Sequence, residues 1–141
     1  MKFAKKMVAL TLLMIPALAV AQLQASEKIV AQVPFRFMVA NKFVPAGECI
    51  LQRADTIGRT LIVRNVAAKV SLFSTAAPGK GGKASSEYAL VFNKYGDRYF
   101  LSGLKIAGSS TVYELPVNRE ELELRAQNAV PTQQILRASL K

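Results

Sequence analysis

Two carboxylates facing each other across a cleft can work as acid and base, or as acid and nucleophile, in glycoside hydrolysis. Such a pair would have to come from Glu48, Asp55, Glu87, Asp97 and Glu114, the acids on or beside extended stretches. Asp97 sits in a hairpin-turn sequence, where Asp serves local backbone needs, and the others read more simply as solvated acids. The chain has no histidine. That removes the commonest general base, any Ser-His-Asp or Cys-His arrangement and the commonest zinc ligand. Its single cysteine, Cys49, excludes an intramolecular disulfide. It lies in the apolar run Cys49-Ile50-Leu51, where a thiol behaves as a small hydrophobe, so an inert core thiol is expected over a reactive or intermolecular one. Glu120, Glu121 and Glu123 form the one local group of acids, and they suit a helix start better than a metal site. No catalytic residue, metal or cofactor is expected.

Gly79-Lys80-Gly81-Gly82-Lys83 has the look of a phosphate cradle. A P-loop needs a different glycine spacing, Ser or Thr after its Lys, and a following helix. Here Ala84 follows Lys83 and a strand comes next, which excludes nucleotide binding and leaves Lys80 and Lys83 as a soft polyanion contact. Arg36 stands between Phe35 and Phe37, and Arg98 precedes Tyr99 and Phe100. On a strand, neighbouring residues face opposite ways, so this is amphipathic patterning and specific nucleic-acid binding is not expected.

The elements that position these residues begin after a leader. Lys2, Lys5 and Lys6 precede the apolar residues 7–18, and Ala19-Val20-Ala21 supplies a cleavage pattern before Gln22. The run is shorter than the ~20 residues of a membrane span and contains Pro16. A signal peptide over 1–21 is therefore expected, with the mature protein periplasmic or secreted and without a stable membrane span. The whole chain has 19 basic and 9 acidic residues; losing three lysines leaves a net charge of +7.

From Ile29 to Val39 the odd positions are Ile29, Ala31, Val33, Phe35, Phe37 and Val39, the period of a half-buried strand. Pro34 within it predicts an edge strand or a bulge. Further strands are expected over 48–53, 60–66, 69–74, 87–95, 98–106 and 111–115. Turns fall at 44–47, 55–58 and 108–110, and a two-residue hairpin at Gly96-Asp97. Residues 75–86 read as a flexible loop. Asn118 can cap a helix over about 118–128, with Glu121 completing a capping box and pairing with Arg125. Val117 and Leu122 stand where a hydrophobic staple would, and Leu122, Ala126 and Ala129 form a narrow apolar face. The expected fold is mainly β: an antiparallel sandwich or small barrel of about seven strands with one C-terminal α-helix. One domain over 22–130 and a flexible tail over 131–141 complete the organisation.

Three segments carry a resemblance: Val33-Pro34-Phe35-Arg36-Phe37, then Asn41 to Glu48, then Leu90 to Leu101. With Glu114-Leu115-Pro116-Val117-Asn118-Arg119-Glu120-Glu121, they are similar to a family of small, exported, β-rich bacterial proteins. That family shares a V-P-F-x-F…P-A-G-x-Y opening, an L-V-F-x-x-Y-G-D-x-Y-F-L hairpin and a late E-L-P-x-S-x-x-E segment. The resemblance covers most of residues 30–124 and implies export and a β fold, with no activity attached. Cys49 replaces the aromatic residue of the pattern, which marks that position as a packing site.

The leading functional expectation is a non-enzymatic extracytoplasmic domain for binding or envelope structure, open to a protein partner by edge-strand pairing at the Pro34 strand. A carrier of a small apolar ligand is the alternative, with Phe35, Phe37, Phe92 and Leu101 lining a hollow barrel. A carboxylate-pair hydrolase is the remaining one.

Overall fold

The computed structural model describes residues 27–54 and 59–141. The expected leader over 1–21 and the turn at 55–58, with Asp55, lie outside the described residues. In chain order the elements are β1 (Lys28–Val33), β2 (Phe37–Val39), β3 (Lys42–Val44), β4 (Gly47–Arg53), β5 (Thr60–Asn65) and β6 (Val70–Thr75). They continue as β7 (Ala77–Lys80), β8 (Tyr88–Tyr95), β9 (Arg98–Lys105), β10 (Thr111–Glu114), α1 (Arg119–Ala126) and β11 (Thr132–Leu140). The fold is mainly β as expected, with eleven strands among the described residues in place of about seven.

The strands hydrogen-bond in the order β3-β2-β9-β8-β11-β1-β4-β5-β6. β6 leads through Ala76 into β7, β7 pairs with β10, and β10 returns to β9. The sheet is thereby barrel-shaped and nearly closed. Its extra strands come from bends. Ile29, Ala31, Val33, Phe37 and Val39 all face inward, so the two-residue period survives, yet pairing breaks at Pro34-Phe35-Arg36. Pro34 has no N–H to give a ladder. β1 stays between β4 and β11, while β2 pairs in parallel with β9 (Phe37↔Tyr99) and antiparallel with β3. The Pro34 strand is therefore not a sheet edge. Ala40 and Asn41, with φ of 51° and 61°, make the tight β2–β3 turn.

The segment expected as a flexible tail over 131–141 is instead a strand deep in the sheet order. β11 pairs with β8 from Thr132↔Lys94 to Ala138↔Tyr88, and with β1 at Ile29↔Leu140. Leu136 and Ala138 pack on the core, while Ile135 and Arg137 face outward, so neither face reads as purely apolar. The expected loop over 75–86 is likewise tied down: β7 pairs with β10, Gly81 donates to the Ser110 carbonyl at 2.8 Å and Ser85 to that of Ser109 at 3.0 Å. Backbone pairing here needs no side-chain pattern.

The interior is built from Val33, Phe37, Cys49, Leu51, Leu61, Val63, Leu90, Phe92 and Leu104, all at or near zero exposure. A second, smaller cluster of Met38, Tyr95 and Phe100 lies apart from it, covered by Leu124 and Ala129. The packing face of α1 is thus Leu124 and Glu121, not the expected Leu122 and Ala126; Leu122 and Val117 are both exposed and form no buried staple. Asn118 caps the helix through Glu120 N–H at 2.9 Å. No helix among the described residues is long and apolar enough to cross a membrane.

Candidate functional site

β8 alternates, so Phe92 turns into the barrel and Asn93 and Tyr95 turn out of it, toward α1. Glu121, Leu124 and Arg125 share one helix face at i, i+3 and i+4. Laying that face on β8 buries the Glu121 carboxylate, which is only 3% exposed. A buried carboxylate must be satisfied by hydrogen bonds and opposite charge. Its Oε1 accepts from Asn93 Nδ2 at 2.7 Å, from Tyr95 Oη at 3.0 Å and from Arg125 Nη2 at 3.2 Å. Arg125 Nε also donates to Tyr95 Oη at 3.0 Å, closing the network. Burial pushes the Tyr95 phenol up; the Arg125 hydrogen bond lowers it, and Glu121 raises it further. The guanidinium of Arg125 is raised, first by its bond to Tyr95. This network locks the helix onto the sheet.

The same helix start forms one wall of an open groove of about 240 Å³. Met38 and Phe100 lie in its floor, and Phe43 and Tyr99 offer aromatic surface. The Arg36 guanidinium sits 4.2 Å from the Phe43 ring centroid, and Arg98 bonds Glu120 at 2.8 Å. Lys94 lies 5.5 Å from the Tyr99 ring, whose other contact is a stack on Phe35 at 3.6 Å. The type of surface is clear: cations held against aromatic faces, with Asp97 and Glu120 as counter-charges. The groove's two arginines are matched by Asp97 and Glu120, so it offers a small planar group aromatic faces beside balanced charge.

Among the described residues, the carboxylates weighed for hydrolysis fall at separate places, and Glu114 lines a cleft of about 320 Å³ together with Glu121. Glu48 accepts from Gln32 at 3.3 Å, and Glu87 pairs with Arg137 at 3.1 Å. Asp97 follows Gly96 in the hairpin closed by Tyr95↔Arg98, and its groove neighbour is Glu120. Cys49 is fully buried on β4, where burial and then Glu48 push its thiol up to about 11. Phe92 meets Phe35 and Phe37 edge to face, with centroids 5.0 and 5.2 Å apart, and Leu101 is buried in the same cluster. Lys83 is exposed; Lys80 ends β7 with its backbone opposite Thr111, and its side chain lies outside what is described.

Sequence reasoning assigned Glu121 to a capping box and missed its partners on β8. The signal was present as two patterns: Asn93 and Tyr95 on the face opposite Phe92, and Glu121 with Arg125 on one helix face. Nothing in either pattern says that these faces meet. Compared with protein families, curated proteins and solved structures, the chain matches none.

Proposed function

We propose that the chain is an exported, non-enzymatic β domain that works outside the cytoplasm by binding, as a recognition or envelope-structural module. The observation carrying this reading is the groove of Arg36, Phe43, Arg98 and Tyr99, which keeps cationic and aromatic groups at the surface. The side chains of reactive type support it from the other side: Glu121 and Tyr95 are committed to holding α1, and Cys49 to packing. The likeness to small exported bacterial proteins and the leader over 1–21 belong to the same reading. The carrier alternative needs a hollow interior, and edge-to-face packing of Phe35, Phe37 and Phe92 favours a filled one.

The test uses benzoate as a minimal planar probe, titrated into ¹⁵N-labelled protein. Amide shifts should concentrate at Arg36, Phe43, Arg98 and Tyr99, and Arg36→Ala should weaken them. Shifts centred on Phe37, Phe92 and Leu101 would favour the carrier, and no shift at all would sink the groove as a binding surface. Mass spectrometry of the exported protein should show a chain beginning at Gln22.

A further inference from the structure

β6 ends the sheet order, and among the described residues it pairs with β5 alone. Among the described residues no strand pairs with its other edge, where alternate residues present N–H and C=O groups; of these the Thr75 carbonyl accepts from Ser74 Oγ at 3.0 Å. Natural edges are normally blunted by charge, proline, a bulge or brevity. The six residues Val70-Ser71-Leu72-Phe73-Ser74-Thr75 include none of the first two. Phe73 stands 64% exposed on the outer face.

The apolar surface extends inward from this edge. Phe73 is opposite Ile62 on β5; Ile62 lies diagonal to Ile50 on β4, and Ile50 is opposite Val30 on β1. All three of these neighbours are part-exposed, so a stripe crosses four strands of the outer face. Its flanking charges at the β6 end are basic. Arg64 is in register with Ser71, and Lys69 directly precedes the strand. Glu48, diagonal to Arg64 on the same face, accepts from the neutral Gln32 and keeps its charge, so the basic excess lies at the β6 side, with Arg64 and Lys69.

One end of the edge opens into a crevice of about 190 Å³, where Phe73 and Thr75 face the Ala40-Asn41 turn and residues 116–118. Asn118 lines this crevice at 8% exposure, and its Nδ2 is a buried donor without a partner, while its Oδ1 is used by the helix cap. A buried donor left unmatched is costly, and a carbonyl oxygen would match it.

These features select one occupant. Ladder groups without a neighbouring strand ask for a polypeptide, and a lipid interior offers them no hydrogen bonds. Basic flanks on an already basic chain oppose a second copy and favour an acidic partner. We propose that the β6 edge docks an extended polypeptide of alternating apolar and acidic residues, which adds a strand to the sheet and brings a backbone carbonyl to Asn118. This rests on the reading of the chain as a binding domain and names a different surface from the groove.

The probe is a short synthetic peptide alternating glutamate and valine, followed by amide shifts and hydrogen exchange on the purified protein. Alternate amides of β6 should become protected, and Phe73→Ser, which removes the apolar ring without adding charge, should weaken binding about tenfold or more, the effect of roughly 1.4 kcal/mol. Asn118→Ser keeps a capping oxygen and removes Nδ2, so it should weaken the peptide several-fold while thermal stability holds. N-methylating the peptide on alternate residues should abolish binding. The proposal is overturned by equal binding of a lysine–valine peptide, by no binding, or by unchanged affinity in both variants. It is equally overturned if phosphatidylglycerol vesicles or self-association protect β6 without peptide. Benzoate shifts at the groove are read at other amides, so either surface can fail alone.

Discussion

The two terminal strands of the sheet, β3 and β6, are finished in opposite ways. β3 is three residues long, carries Lys42, and has its exposed Phe43 beneath the Arg36 guanidinium. The turn before it is tied to α1, because Asn41 Oδ1 accepts from Arg119 N–H at 3.1 Å. The Glu121 network then fastens that helix to β8. β6 is twice as long and uncharged, and its neighbouring crevice holds an unmatched donor. The contrast teaches that this fold can protect an edge and does so at one end only. The difference can be broken or sharpened by mutation.

The largest effect should come from turning interior strands into new edges. Deleting 131–141 removes β11, which separates β1 from β8. Both would then be edges, with Leu90 and Ile29 losing a covering neighbour. The loss should exceed the ~5–15 kcal/mol that holds a typical domain together. Circular dichroism with urea should find no cooperative transition; a shortened chain that still unfolds cooperatively would show that β11 is dispensable.

Next is the buttressed end. Glu121→Ala strips three donors of their acceptor and leaves Arg125 beside an apolar cluster. The Arg125 side chain is 44% exposed and stays hydrated, so the cost is that of the donors left unmatched on β8, about 1–3 kcal/mol each, and Glu123→Ala on the exposed face should stay within about 0.5 kcal/mol. Equal urea midpoints for the two variants would mean that the network does not secure the helix. At the open end the contrast lies within one strand. Leu72 points inward and Phe73 outward. Leu72→Ala should cost about 2–5 kcal/mol and Phe73→Ala within about 0.5 kcal/mol. A large loss at Phe73 would mean that its ring supports the fold instead of standing free.

Which parts were legible follows from what side-chain patterning records. Where one face meets the core and the other meets water, as in Ile29 to Val33 or Leu61 to Val63, two-residue alternation finds the strand. β11 escaped because Ile135 on its outer face and Gln134 on its inner face blur the alternation. β7 escaped because Ala77-Pro78-Gly79-Lys80 pairs through backbone groups that no composition reveals. Pro34 was read as an edge or a bulge; it marks instead a break between β1 and β2. Both kinds of site lack a donor, so only the pairing of β1 on both sides separates them. At the site, Arg36 and Arg98 were read as outward-facing, which they are; that Phe43 and Glu120 meet them depends on β2 pairing with β9, a contact between residues some sixty positions apart.

The smallest effect concerns pH, and it belongs to the buttressed end because Tyr95 is buried there. Burial is the main cause that raises its phenol above the ordinary value of 10.0. Below pH 10 the phenol is neutral both folded and unfolded, so its contribution to stability is fully present. As pH rises past 10, the unfolded chain releases this proton first, and stability declines until the folded phenol also ionises. Tyr95→Phe lacks the proton, so its own loss of stability above pH 10 should be shallower. It starts lower, having lost the hydrogen bonds to Glu121 and Arg125. The gap between wild type and Tyr95→Phe in urea midpoint should therefore narrow as pH rises above 10. Every other ionisable group is common to both proteins and largely cancels in the difference. A gap that stays constant would mean that the phenol is as easily ionised in the fold as outside it.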